Sequence, residues 1–167
     1  MTAETSLIPD EATAMIGRET GRASGQVVKK EFQRWAAAVK DRNPLYFDPD
    51  FARAHGYRDV VMPPMYLSYV TLGVADLDNL RPDGIPGGGG GDLPLPHTPR
   101  RMAGGENITF YEPVYDGDVL TSVRVIEKIE EKHGRSGAFV LVTSRTSYVN
   151  QDGVTVAEAV GSMIARP

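Results

Sequence analysis

From Gly104 onward the chain changes period. "NITFYEPV" alternates until Pro113, and "DVLTSVRVIEKIEE", "GAFVLVTSRTSYVNQDG" and "VTVAEAVGSMIAR" alternate after it. Val, Ile, Thr and Tyr are frequent in these runs, so they read as β-strands. The joints between them are short, and the Gln151-Asp152-Gly153 joint is a turn signal. Strands joined so tightly pair antiparallel. Such a sheet has one apolar face, and that face must be covered by something else in the chain.

The first hundred residues must supply the cover. "PPMYLSYVTLGVADL", residues 63–77, is apolar on nearly all sides and follows two prolines. It reads as a helix buried on most faces. "KKEFQRWAAAVKD" places Phe32, Trp35, Ala36 and Val39 at spacings of three and four, an amphipathic helix ended near Asn43-Pro44. "DPDFARAHG" reads as a short helix with Asp48 as N-cap, Pro49 in its first turn and Gly56 as its stop. Residues 81–101 hold six glycines and five prolines and read as a long, mobile loop. Residues 1–15 are acidic and read as a loose leading segment before a single domain over 16–167. The architecture expected is α+β: an antiparallel sheet wrapped around one long central helix, the hot-dog fold.

Composition removes several functional classes. With 41% hydrophobic residues in 167, a sizeable core is available. The net charge of −4 and the absence of a basic block argue against nucleic acid. There are no cysteines, which excludes disulfides and thiolate metal sites and suits the cytoplasm. His55, His97 and His133 are too scattered for a metal site. Gly87–Gly91 lacks the Lys-Ser/Thr of a phosphate loop. No apolar run approaches the length of a membrane span, and residues 1–15 do not read as a secretory signal.

Three segments carry a resemblance that covers about Gly17 to Ala165. They are "AVKDRNPLYFDPDFARAHGYRDVVMPPMYL" (38–67), "GGENITFYEPVYDGDVL" (104–120) and the terminal "GVTVAEAVGSMIAR". Together they resemble the MaoC-like dehydratase and (R)-specific enoyl-CoA hydratase family, in its fatty-acid-synthase-like N-terminal dehydratase branch. The resemblance implies reversible addition of water to a 2-enoyl thioester carried on CoA or acyl-carrier protein. It implies no cofactor, no nucleic acid and no membrane. The family motif is Asp-x-Asn-Pro-x-His. Asp41, Asn43 and Pro44 match it, and Tyr46 stands where the histidine belongs. The chain is similar to non-catalytic subunits of 3-hydroxyacyl-carrier-protein dehydratases. These carry a Tyr-Phe pair at that place and assemble with a subunit holding the intact dyad. It departs from them in keeping Asp41.

Hydration requires that water lose a proton, that C2 gain one, and that an enolate oxygen be stabilised. Asp and His can share those transfers around one water. Tyrosine, with a pKa of about 10, donates a hydrogen bond at neutral pH and accepts a proton poorly. The family also uses a glycine amide at the entrance of the central helix. The corresponding position here is Pro64, which has no N–H, so Met65 would have to offer its own. The candidate site residues are Asp41, Asn43 and Tyr46 for the chemistry. Pro64, Met65, Tyr66, Arg100, Gly104 and Gly105 are the candidates for holding the substrate.

Each has a blander reading. Asp41 can be a surface acid making a turn with Asn43, Tyr46 and Phe47 can be core aromatics, and Arg100-Arg101 can be an ordinary surface pair. The leading expectation is a substrate-binding subunit, in a heteromer with an intact Asp/His partner, or else a homodimer. The alternatives are a self-sufficient hydratase using Asp41 and Tyr46, a non-enzymatic acyl-thioester binding protein, and a thioesterase.

Overall fold

The computed structural model describes residues 6–73, 77–80, 82, 84 and 93–167. Five strands form one antiparallel sheet in the order β1-β3-β4-β5-β2. They are β1 (Glu19–Gln26), β2 (Arg100–Phe110), β3 (Val119–Gly134), β4 (Gly137–Val149) and β5 (Thr155–Arg166). The last four are the runs that alternate in sequence. β1, "ETGRASGQ", gives no such signal because its residues are small or polar. It is a strand because it lies along β3 from Glu19 opposite Val125 to Gln26 opposite Val119.

Alternation sorts the sheet into faces. Leu120 and Ile126 of β3, Val140 and Val142 of β4, and Ala157, Ala159 and Ala165 of β5 are buried and mark the inner face. The spacing from Ile126 to Ile129 would break the period. A register shift between Ile126 and Lys128 absorbs the extra residue, so both isoleucines join the same cluster.

Two apolar clusters occupy the inner face. The first gathers Phe32 of α2 (Lys29–Ala38) with Leu120, Tyr66, Leu67, Val156 and Ala157. Complete burial of Phe32 is worth about 1.5–3 kcal/mol. The second joins Ile126, Val140, Val142 and Ala165 to Leu93 and Leu95, with Leu7, Ile8 and Met15 packed against it. The leading segment is therefore not loose from Leu7 on. It turns through α1 (Asp10–Thr13), and Ala12 there is fully buried. Most of the expected loop, including Gly87–Gly91, lies outside the described residues. Its last part is anchored by Leu93, Leu95 and the fully buried Thr98.

The helix expected over 63–77 is much shorter. It comprises a 3-10 turn, Pro64–Tyr66, and a single α-turn, α4 (Leu67–Val70), capped at Thr71. Residues 74–76 lie outside the described residues. A β-branched pair, Val70-Thr71, with Gly73 close behind, is poor material for propagating a helix. Its outer faces are open among the described residues, since Met65, Tyr69 and Leu72 are all more than half exposed. The sheet is thus covered jointly by α2, the 63–70 segment and the Leu93–Leu95 anchor.

Candidate active site

Chain geometry explains where the motif residues sit. α2 ends in a Schellman motif: Lys40 N–H reaches Ala37 O at 3.1 Å and Asp41 N–H reaches Ala36 O at 2.9 Å. Lys40 takes the left-handed conformation usual for glycine, with φ 62°. Asp41 then bends back: its Oδ1 accepts from Asn43 N–H at 3.1 Å, and Asn43 Oδ1 accepts from Leu45 N–H at 3.1 Å. Pro44 opens a 3-10 turn, Pro44–Tyr46, capped by Asn43. Asp48 Oδ1 caps α3 (Pro49–Ala54) by accepting from Asp50 and Phe51 at 2.9 and 3.0 Å. The Asp-x-Asn-Pro stretch is therefore a chain of side-chain caps that delivers residue 46 to a fixed place.

That place is inside the fold. Tyr46 is 7% exposed and clusters with Ala36 and Val61, against Trp35, Leu45, Tyr57 and Tyr115. Gln33 Nε2 donates to its carbonyl at 2.9 Å, and Val61 N–H donates to the Leu45 carbonyl at 3.0 Å. Burial raises the phenol pKa above its ordinary value; the Asp41 charge adds to this, and the Asn43 amide partly opposes it. At neutral pH Tyr46 is therefore a hydroxyl donor and not a base.

A cavity of about 370 Å³ opens beside it. Asn43, Tyr46 and Pro64 line it, together with Leu45, Tyr57, Met62 and Leu67 on one side and Phe110–Val114 and Val156-Ala157 on the other. Asp41 is within electrostatic reach of Tyr46 but is not part of the wall. The sequence-predicted trio Asp41, Asn43 and Tyr46 is thus brought together, with the carboxylate turned onto the backbone of Asn43.

The candidates for holding substrate are scattered. Pro64 lines the cavity. Met65 is 59% exposed and outside its wall. Tyr66 is buried edge-on against Trp35 at 5.7 Å. Arg100 is at the other end of β2 from Phe110, roughly 33 Å along the strand. Its guanidinium donates to the main-chain oxygen of Pro167, away from the cavity beside Tyr46. Arg101 folds onto the carbonyls of Leu93 and Leu95. Gly104 and Gly105 lie at a register shift opposite Ser162, and Gly105 borders a second cavity described below. Among the described residues no group of His, Asp and Glu is placed to hold a metal.

The motif did not reveal the remaining wall. Tyr57, Tyr111 and Glu112 sit in stretches that read as a short helix exit and a strand end, and only the tertiary structure brings them to the cavity. The one available signal was Pro113, which breaks the alternation where the wall turns.

An antiparallel sheet covered by short helices, with the Asp-x-Asn-Pro turn delivering its last side chain to an apolar cavity, defines the hot-dog class of hydratases and dehydratases. A family profile described as FAS1-like, dehydratase domain region, matches residues 14–159. The chain belongs to that family. A UPF0336 protein of Parafrankia sp. is 32% identical over 160 residues, covering 90% of this chain and 91% of the relative. Among solved structures, the ChsH1–ChsH2 complex from Mycobacterium tuberculosis superposes with TM-score 0.78 at 20% identity, covering 94% of this chain and 89% of that one. The C-terminally truncated HadBC (3R-hydroxyacyl-ACP dehydratase) complex from the same organism gives 0.60 at 23% identity, covering 88% and 96%. Likenesses at this identity establish the hot-dog fold, and no helix among the described residues is long and apolar enough to cross a membrane.

Proposed function

We propose that the chain is the substrate-binding subunit of an enoyl-thioester hydratase, equivalently a 3-hydroxyacyl-thioester dehydratase, which works beside a partner holding an intact Asp/His dyad. The observation that carries this reading is Tyr46. It occupies the histidine position of the motif, it is buried, and its environment raises a pKa that is already too high for a base. Asp41, the half of the dyad that remains, spends one carboxylate oxygen on the Asn43 amide and faces the cavity only through its charge. General acid–base help is worth roughly 100- to 10,000-fold, so a site lacking half of it is a poor engine. The cavity itself is intact, mostly apolar and lined in part by Tyr46, Tyr57 and Tyr111, a suitable seat for an acyl thioester. That two solved neighbours are described as two-component complexes supports a partner for this chain.

The test is hydration of a 2-enoyl-CoA panel by the purified chain, read as loss of enoyl absorbance. The expectation is no turnover alone, tight binding of the thioester, and turnover when a subunit with an intact dyad is added. Turnover by the chain alone that disappears in Asp41→Asn would replace this reading with a self-sufficient Asp41–Tyr46 site. Release of free thiol would instead identify a thioesterase.

A further inference from the structure

The inner face of the sheet is not apolar throughout. Between the two clusters lies a cavity of about 510 Å³, walled by Arg124 of β3, Ser144 and Thr146 of β4, Gly161 of β5, and Gly105 and Glu106 of β2. Arg124 alternates with Leu120 and Ile126, so it points to the side of the sheet on which they are buried. It is half-buried, and its Nε donates to Ser144 Oγ at 3.2 Å. Ser144 is 8% exposed. No ion pair is found for Arg124 or for Glu106 among the described residues. Only its Nε is bonded to a side chain of the sheet, and its terminal nitrogens are not among the buried atoms left without a partner, so the fork is open to the cavity.

We propose that this second cavity is a subsite for a carboxylate at the far end of the bound acyl group, a proposal that rests on the acyl-thioester reading above. The guanidinium offers a planar fork that matches two carboxylate oxygens. Ser144 Oγ accepts from Arg124, which leaves its own proton free to donate to the same anion, and the Thr146 hydroxyl is alongside. The backbone of Glu106 is about two strand spacings or ~10 Å from Ser144, and its carboxylate reaches back over Gly161, the residue paired with Ser144. It repels an anion and so confines one to the Arg124 side.

The spacing fixes which ligands reach it. The first cavity ends on Ala157 and the second begins at Gly161, four residues along β5 or about 13 Å. The floor between them is Ala159, which no long side chain obstructs from β5 itself. Ala159 is buried in the cluster that includes Tyr66 and Leu67, so a tail crossing there displaces contacts of the short 63–70 segment. A thioester seated beside Tyr46 with a short acyl group stops before Gly161, whereas a long one places its terminus against Arg124.

Calorimetric binding of four ligands to the intact chain tests this: hexanoyl-CoA, dodecanoyl-CoA, and the mono-CoA thioesters of hexanedioic and dodecanedioic acids. The expected result is that the dodecanedioyl thioester binds about tenfold more tightly than dodecanoyl-CoA, the smaller end of what a hydrogen bond to a charged group gives. The two short ligands should bind alike. Arg124→Gln should abolish the long-chain preference, and Arg124→Lys should retain part of it. Equal binding of the two long ligands by the unaltered chain overturns the subsite while leaving the thioester reading intact, and this comparison needs no variant to fold. Failure of all four to bind overturns both.

Discussion

The two cavities of the inner face are made from different parts of the chain. The one beside Tyr46 takes its wall from connections: the Asp41–Tyr46 turn, the 61–67 segment and the Phe110–Val114 bend. The one beneath Arg124 is built almost wholly from four adjacent strands. Connections can be re-aimed one residue at a time, and this is where the motif has exchanged histidine for tyrosine. Strand positions are tied to their neighbours by register, so a polar residue facing inward must be tolerated by the sheet on both sides. Arg124, Ser144 and Thr146 occupy such positions between two apolar clusters, and this contrast is what the proposed subsite rests on.

The comparison breaks most sharply at residue 46. Tyr46→His should restore an Asp/His pair on the existing turn and raise enoyl-CoA hydration by the chain alone by about 100-fold or more, if Asp41 is poised for it. Initial rates against the unaltered chain decide this; no gain in a folded variant would mean that the carboxylate is committed to its turn with Asn43. The second cavity is tested by filling it. At Gly161 an added Cβ meets Glu106 Oε1 at an ordinary 3.5 Å, and β-branched residues suit strands, so Gly161→Val should fold. It should weaken dodecanoyl-CoA binding by about tenfold and leave hexanoyl-CoA unchanged. Equal losses for both ligands would show that the cavities do not serve one acyl chain.

Titration probes the buried tyrosines of the first cavity and the core around it. Burial raises the pKa of Tyr46, Tyr66 and Tyr148 above the ordinary tyrosine value. Each favours its protonated form more in the folded chain than in the unfolded one. That stability is fully present below about pH 10 and is lost as pH rises through the raised values. Urea midpoints should therefore fall on the alkaline side of pH 10, and Tyr46→Phe should flatten the decline. An unchanged slope would mean that Tyr46 ionises as freely as in the unfolded chain. The smallest effect is expected at the turn that carries Tyr46. Asp48→Ala removes the cap of α3 and should cost about 1 kcal/mol of unfolding free energy, without altering binding in the second cavity.

Much of this architecture was legible in the sequence, for a reason that differs between elements. β2 through β5 were readable because alternation is a local pattern that a sheet merely confirms. α3 was readable from Asp48, Pro49 and Gly56, whose preferences are intrinsic to the backbone. β1 was not, because "ETGRASGQ" has no apolar alternation and Thr20 as its one β-branched residue, and pairing with β3 makes it a strand. The 63–77 stretch misled in the opposite direction. Its apolarity is real, but Met65, Tyr69 and Leu72 are exposed rather than wrapped, so composition did not translate into a long buried helix. Leu7, Ile8, Leu93 and Leu95 looked like residues of loose segments, since isolated apolar residues carry no period.

The sequence by itself determined the alternating strands β2 through β5 and the turn that places residue 46. Each is a pattern of residues a few positions apart, which a linear reading can record. Only the tertiary structure decided that Tyr46 is sealed inside, that Arg100 is bound to the main-chain oxygen of Pro167, and that Arg124 and Ser144 meet. These depend on strand register and on groups that lie 20 or more positions apart in the chain. An inward arginine in an alternating strand reads in sequence as one more exposed polar residue. Its face is fixed by the buried Leu120 and Ile126 on either side of it, and that burial exists only once the sheet has formed.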